Sequence, residues 1–567
     1  MANKLQIISN GQDFDLFQGE DERFYITKQI HDLANLETRN GDFSRRINLP
    51  LTPKNKEILG TNLPIYSRFD DIAVGTIPCE ILVNGMPILS NAYFTIDTQS
   101  KTAITIQVFG GVSKLYSGLS DLSIRDLDFS ALNFQWTTAG INAITTNTTG
   151  VVYAESQWIT NQEYREFLAN AYETDEFSFQ ELNEAGFFMY AKTIIDKIFE
   201  GFSELTFDSS ALDAQYGKSA IACPMPQLHE QYINGDTIST TVNVASFLPD
   251  ISQREFLREV FKIYNIVATE SNNLVRLRYF QSLATADSGT LVLDTNNEVT
   301  IYNTFTTYNQ SNELKYSTYD LIERTDFDSS FDVNSEILPP LGTLVQSRFF
   351  PSDLGETPIK SAGGDRVVIP GYEFEYFASD LTFQKHGGAS TWSTNDKSSL
   401  KVGDIVNVIQ EKRRIVTVNS TNTAGTVDRD WTVNANTNTW DYVRYKKIET
   451  NLHFVSIEDV SAVSSYTTQY NGANNVIQGS AGAKVAQFPS ALLWDNLKTT
   501  YYGLFVDSIA KPFIVQAWIS LPTISLLKLD PLAPIYLDDY NSYFYINKLE
   551  QWKINNMARI ELVEIKK

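Results

Sequence analysis

The chain has 567 residues, room for roughly four ordinary domains, and its 43% apolar share can build real cores. A formal charge of −23 excludes a protein whose main surface grips nucleic acid, because such a surface must be basic. It does not exclude an acidic channel through which DNA passes without sticking. Two cysteines, Cys79 and Cys223, cannot make a disulfide framework and read as buried thiols. No basic segment with an apolar core opens the sequence, so a cleaved secretory signal is not expected, and no apolar run approaches the ~18 residues of a membrane span.

In chain order, residues 3–9 read as a strand, Asn10-Gly11 as a turn and 12–17 as a second strand. An acidic break at 20–22 precedes strands at 24–30 and 43–49, with a turn at Asn40-Gly41 and a short helix at 52–59. The clearest hairpin is 79–96, turning at Asn84-Gly85, because Asn-Gly supplies the positive φ of a tight turn. Ile104, Ile106 and Val108 then alternate with Thr105 and Gln107, giving one dry and one wet face. A helix is expected over 186–202, where Phe187, Ala191, Ile194, Ile195, Ile198 and Phe202 recur at three- and four-residue steps. A second is expected over 252–264, with Ser252 and Glu255 in capping-box relation and Ile251 with Phe256 as a hydrophobic staple. A further helical piece at 162–172 precedes them. Strands are expected at 274–280 and 289–293, a strand pair at 402–418, and exposed loop tips in NSTNTAGT and NANTNTW. The final ARIELVEI loses its alternation between Leu562 and Val563, which hints at a bulge. The fold class is therefore mainly β (α+β) and multidomain, in units 1–150, 151–337 with the helices, an inserted β-rich 338–465, and 466–567.

Site chemistry is hard to find. His31, His229, His386 and His453 are far apart; His229-Glu230 starts like a zinc-protease motif, but no second histidine follows, so a surface or capping histidine is expected. Gly217-Lys218-Ser219 resembles the end of a phosphate-binding loop, yet Leu212 stands where the first glycine belongs. Asp326, Asp328, Ser330, Asp332 and Asn334 have the odd spacing of a calcium loop. Phe331 and Ile337 occupy the positions that need Gly and Glu, so a solvated acidic turn is expected. Asp538-Asp539 sits at a turn, where carboxylates are common anyway. Arg45-Arg46 with Lys54 and Lys56 is too small for a nucleic-acid patch; these side chains face water or an acidic neighbouring subunit. No catalytic, cofactor-binding or metal residue is assigned, and no cofactor. A chain of this size without clustered His, Cys or a glycine-rich loop is expected to assemble rather than catalyse, although glycosidases need only two carboxylates.

Four places resemble tail structural proteins of phages and prophages of Bacteroidota, the crAss-like phages among them. They are ITKQIHDLANLETRNGDFSRRINLPLTPKNKEIL, FFMYAKTIIDKIFEGFSELTF, FLPDISQREFLREVFKIYNIVATESNNLVRLRYF and the closing PIYLDDYNSYFYINKLEQWKINNMARIELVEI. Together they span about half the chain and leave 338–465 uncovered. The resemblance implies a virion component, a tail hub, baseplate or tail-tip protein. Its fold would hold tandem tube-like β-barrel domains with docked helices, joined by smaller β domains. The implied partners are the chain itself, in a ring (a trimer first, sixfold or higher open), and neighbouring tail-tube, baseplate or fibre proteins, with DNA only in transit. It implies no catalytic residue. Two other readings remain: a receptor- or glycan-binding tail protein using Trp392, Trp431, Trp440 and Tyr442 as stacking faces, against core packing as the plainer role; and a tail-borne hydrolase without a recognisable motif. Residues 26–59, extended and poor in core pattern, are the expected interface segment.

Overall fold

The computed structural model describes residues 4–28, 42–59, 77–110, 119, 122–135, 138–155, 185–203, 205–223, 241–271, 273–286, 289–290, 299–303, 305, 307–317, 327–351, 359–361, 364–369, 372–379, 381–385, 387–401, 404–408, 411–427, 435–437, 440–447, 452–459, 466–470, 473–477, 484–530, 532–554 and 557–566. The expected turn at 40–41 and helix at 162–172 lie outside them.

The Asn-Gly turns form as their chemistry requires. Asn10 and Gly11 take φ of 51° and 75°, Asn84 and Gly85 of 53° and 76°, the conformation in which a two-residue turn matches the twist of its strands. They join Leu5–Ser9 to Gln12–Asp13, and Ile77–Val83 to Met86–Gln99. Thr52 caps the short helix Pro53–Ile58 by accepting the Asn55 N–H. The strand expected at 43–49 is broken at Arg45-Arg46 into Asp42–Ser44 and Ile47–Pro50.

These hairpins belong to a 14-stranded sheet that also takes in the end of the chain. Its order runs from Thr300–Tyr302 through Ile514–Ser520, Met557–Ile565, Ser542–Lys553, Tyr25–Lys28, Asp42–Ser44, Ala103–Gly110, Met86–Gln99, Ile77–Val83 and Leu5–Ser9 to Gln12–Asp13. Ile26 lies opposite Trp552 and Lys28 opposite Leu549. Thr27 donates its hydroxyl to the Glu550 carbonyl at 2.6 Å. One core lies under both ends, with Ile7, Ile26, Ile47, Phe94 and Ile106 packed among Val515, Leu549, Trp552 and Ile560.

The slip in ARIELVEI has another cause than a bulge in that strand. Its register with Ile514–Ser520 is unbroken, Val515 facing Leu562 and Ile514 facing Val563. The irregularity lies on the partner, where Ile546 faces Leu562 but Lys548 already faces Glu561. Leu562 belongs to the first core, whereas Val563, Ile565 and Tyr545 belong to a second. Two adjacent apolar residues here mark a strand covered on both faces.

The second core holds the helices. Residues 186–190 are not helical: Ala185–Tyr190 is a strand between Val151–Glu155 and Ser219–Cys223, and the helix is Ala191–Glu200. A strand buried on both faces is continuously apolar, so its residues blended into the helical pattern that follows. The next helix, Gln253–Ile263, has the expected Ser252 cap on the Glu255 N–H, and Ile251 and Phe256 are both buried. Only half of the capping box is made, because the Glu255 carboxylate turns to Arg258 and Arg348. This helix is wrapped on its polar side too. Glu259 is fully buried, paired with Lys262 at 3.1 Å and accepting the Arg348 N–H at 2.8 Å. Nearby, Phe199 stacks on Phe207 at 3.8 Å, and Thr206–Asp208 pairs in parallel with Leu274–Tyr279, itself antiparallel to Ile266–Ser271.

Six strands form the next layer, in the order Ser219–Cys223, Ala185–Tyr190, Val151–Glu155, Lys484–Gln487, Leu452–Asp459 and Phe349–Pro351. Ser219–Cys223 also pairs with Leu452–Asp459, so the pairing runs in a circuit of five short strands, linked at one point by the single pair Glu155 and Val485. Between Phe349–Pro351 and Leu452–Asp459 comes a 10-stranded sheet that includes the expected pair, Ile405–Val408 and Glu411–Val418. It has its own core of Phe383, Trp392, Val406, Trp440 and Tyr442. The architecture is mainly β and multidomain. The tandem tube-like barrels implied by the resemblance are not seen among the described residues, since the large sheet is open at both ends.

Two predictions follow from these cores. Glu259→Ala strips a buried lysine of its carboxylate and should cost about 3–5 kcal/mol, against about 1 kcal/mol for Ser252→Ala, both read as lowered urea midpoints. Burial pushes the Cys79 and Cys223 thiols up to about 12. Both should therefore resist a disulfide reagent at about pH 8 in the native protein and react once it is unfolded. A raised thiol favours the protonated native state. Its stabilisation is complete below the free-thiol value of about 8.5 and is lost as pH climbs toward about 12.

Candidate functional site

Among the described residues no three His, Cys, Asp or Glu side chains gather as a metal site would require. His31, His229 and His386 lie outside the described residues, and His453 occupies a strand position opposite Phe350. The phosphate-loop look-alike is a short helix, Ala214–Lys218, capped by Asp213 and running directly into a strand; Lys218 is held by Glu458. Of the calcium-like spacing, Ser330 and Asp332 lie in a strand instead of a turn, Asp328 and Asn334 flank it, and Asp326 lies outside the described residues. Ser329–Asp332 pairs with Ser311–Lys315, burying Phe331 and leaving Ser330 and Asp332 outside. Asp328 accepts the Tyr316 N–H at 3.2 Å, and burial raises its carboxyl above the usual range. A period of two in carboxylates is what the wet face of a strand produces. Asp538 and Asp539 are exposed in the turn between Ile535–Leu537 and Ser542–Lys553.

The basic group is dispersed. Arg46 pairs with Asp97 at 2.7 Å, Lys54 with Asp15 at 3.3 Å, and Arg45 donates to the Arg23 carbonyl at 2.7 Å; Lys56 is half-buried. The described part of 26–59 does carry core pattern, since Ile26, Ile47, Leu49, Ile58 and Leu59 are all buried. Trp392, Trp440 and Tyr442 are buried as well, Phe383 stacking on Trp392 at 5.6 Å and Phe377 on Tyr442 at 4.8 Å. They offer no face to a sugar; Trp431 lies outside the described residues.

Three features escaped the sequence. Asp213 is a polar node: its carboxylate accepts the Tyr216 N–H at 3.0 Å, the Tyr279 hydroxyl at 2.9 Å and the Tyr501 hydroxyl at 2.7 Å. Burial raises both phenols, which keeps them protonated as donors. Residues 20–22 are not a mere break but open a one-turn helix, Glu20–Arg23, beside a cleft of about 490 Å³. No local signal marks Glu20, because what buries it arrives from strands far along the chain. The third feature is Thr300–Tyr302, the end strand of the large sheet among the described residues, with Ile301 47% and Tyr302 44% exposed. A strand so short carries too little pattern to be read.

No family model and no curated protein matches the chain. Among solved structures it is similar to the 43 kDa tail protein of prophage MuSo2 from Shewanella oneidensis, at 6% identity and a TM-score of 0.35, over 99% of this chain and 98% of that one. It is also similar to the prophage tail protein gp18 from Listeria monocytogenes EGD-e, at 8% identity and a TM-score of 0.26, over 77% of this chain and 93% of that one. Likeness at this level is too slight to carry an argument about either fold or function.

Proposed function

We propose that this chain is a structural protein of a phage virion, a component of the tail. It forms a symmetric ring or hub at the baseplate or tail tip, joins the tail tube to the distal tip, and leaves or plugs a channel for DNA. The observation that carries this reading is where the four resembling segments meet. The first and last pair with each other in the large sheet, through Tyr25–Lys28 and Ser542–Lys553. The two middle segments pair with each other through Thr206–Asp208 and Leu274–Tyr279, and share one core. Segments picked out by resemblance alone thus form the frame of the molecule, as a shared scaffold would.

Among the described residues Trp392, Trp440 and Tyr442 are packed inward, which gives the glycan-binding reading no support from them. No strand among the described residues pairs on the second side of Thr300–Tyr302, whose Ile301 and Tyr302 are exposed, a place where a second copy can add a strand. An obligate ring would bury over ~2,000 Å² at each contact.

The test is the solution mass of the purified protein by light scattering, with negative-stain images of the same fraction. Closed rings with a central hole are expected, threefold first. A protein that stays monomeric at high concentration would overturn ring formation by the chain alone. Placing lysine at both Ile301 and Tyr302 should leave the fold intact and shift the mass toward the protomer.

A further inference from the structure

Two exposed apolar patches are left uncovered in the protomer. The first is the tip that carries Ile337, Pro339, Pro340 and Leu341, all of them exposed. Ile337, at 79%, is the most exposed large apolar side chain among the described residues. The tip is firmly held. Leu338 is buried beneath it, and the Gln310 side chain donates to the Leu338 carbonyl at 2.9 Å. The Gln310 and Ser311 N–H groups donate to the Pro339 and Pro340 carbonyls at 2.7 and 3.0 Å. The two prolines also fix their own φ. A projection ordered in advance loses little entropy when it docks.

The second patch is on the short helix Thr523–Lys528, which buries Thr523 and Leu526 and turns Ile524 and Leu527 outward together as an i, i+3 pair. Ile524 is 56% exposed, so neither patch covers the other within the protomer. The charges around them are opposite. Asp332 and Glu336 are exposed beside the tip, whereas Lys528 is exposed beside the helix pair. Asp530, the nearest acid in sequence to that lysine, is already paired with Arg278 at 3.1 Å. The patches stand by opposite ends of one strand. Asn334, next to the tip, donates to the Ala510 carbonyl shortly before Ile514–Ser520 begins. That strand spans 7 residues, roughly 24 Å, and Pro522 leads from its far end into the helix.

We propose that the tip of one copy packs on the helix of a second copy, Ile337 and Leu341 against Ile524 and Leu527, with Glu336 and Asp332 drawn to Lys528. This rests on the ring reading and deepens it by naming a contact. Two different patches that meet across copies make a head-to-tail interface, the kind that closes into rings. A chain of net charge −23 repels its own kind at long range. A contact between copies therefore needs apolar burial at its centre and a local cation to receive the acidic tip, and these patches supply both.

The test uses full-length variants. Ile337→Lys with Leu341→Lys, and separately Ile524→Lys with Leu527→Lys, put charge into the apolar contact from either side. Each pair is expected to take the light-scattering mass from ring to protomer at concentrations where the wild type is assembled. The urea midpoint should not fall, because these side chains are exposed already. Cysteines read the contact directly. Ile337→Cys is combined in turn with Ile524→Cys and with Leu527→Cys, and mild oxidation should give a ladder of linked copies on a non-reducing denaturing gel from at least one combination. Each single cysteine should give none, and the buried Cys79 and Cys223 stay out of the reaction. A monomeric wild type removes the ring and this contact with it. A ring that persists in either lysine pair, or assembled double-cysteine proteins that yield no ladder, overturns the contact and leaves the ring standing. A linked dimer from Ile337→Cys alone overturns it too, since two tips would then meet in a twofold contact.

Discussion

The pairing of Tyr25–Lys28 with Ser542–Lys553 is the contact on which the architecture depends. It joins positions more than 500 residues apart, as in the bond from Thr27 to the Glu550 carbonyl, where the separation is 523. The entropy of closing so long a loop grows only logarithmically with length. The contact is therefore affordable in stability but slow to find, as non-local β pairing generally is. Neither end can complete its core alone. Ile26, Ile47 and Phe94 from one end are buried against Leu549, Trp552 and Ile560 from the other. Between them the chain leaves this sheet for the helical core and the insertion, and returns to it at Gly289–Thr290 and Thr300–Tyr302 before its end.

The last strand carries this constraint into the second core. Leu562 packs with the strands of the chain's two ends, while Val563 and Ile565 face the helical region with Tyr545 and Ile514. Tyr545 meets Phe280 at 5.1 Å, edge to face, and Phe280 meets Phe505 at 6.3 Å, so aromatic packing continues from the sheet into the helices. One strand thus fixes the position of two cores relative to each other. Cores packed near crystal density deform little. A strand shared between two of them couples a shift in one core to the other.

What could be read from the sequence was whatever is decided locally. Asn84-Gly85 fixes its turn through φ alone, Ser252 caps its helix from a position three residues away, and the alternation of 103–110 needs only one wet face. What could not be read was decided by distant partners. The strand Ala185–Tyr190 is paired along both edges by strands from elsewhere, and Phe187, Phe188, Met189 and Tyr190 are all buried, which erases its period. The doublet Leu562-Val563 looked like a defect because the second core cannot be seen from that strand. The residues at 328–332 read as a solvated acidic turn because their period of two is shared by calcium-like loops and strand faces, and only pairing with Ser311–Lys315 shows the strand. Glu20 is the extreme case, an acidic residue in an acidic stretch whose burial is set by Asn48 and the strands behind it.

Several carboxylates of the described residues act in the architecture through more than one donor each. Asp213 accepts three donors. Glu259 accepts the Arg348 N–H and pairs with Lys262. Asp404 takes both arms of Arg444, at 2.9 and 2.8 Å, and the Lys401 N–H at 2.8 Å. A carboxylate met by several donors is held in one orientation by them. Such groups act as struts: they tie helix to strand and loop to sheet where apolar packing alone would leave the register loose. Glu20, withdrawn from water like Glu259 and Asp404, is met by one backbone donor, the Asn48 N–H at 3.2 Å, and so ties its one-turn helix to a single strand position.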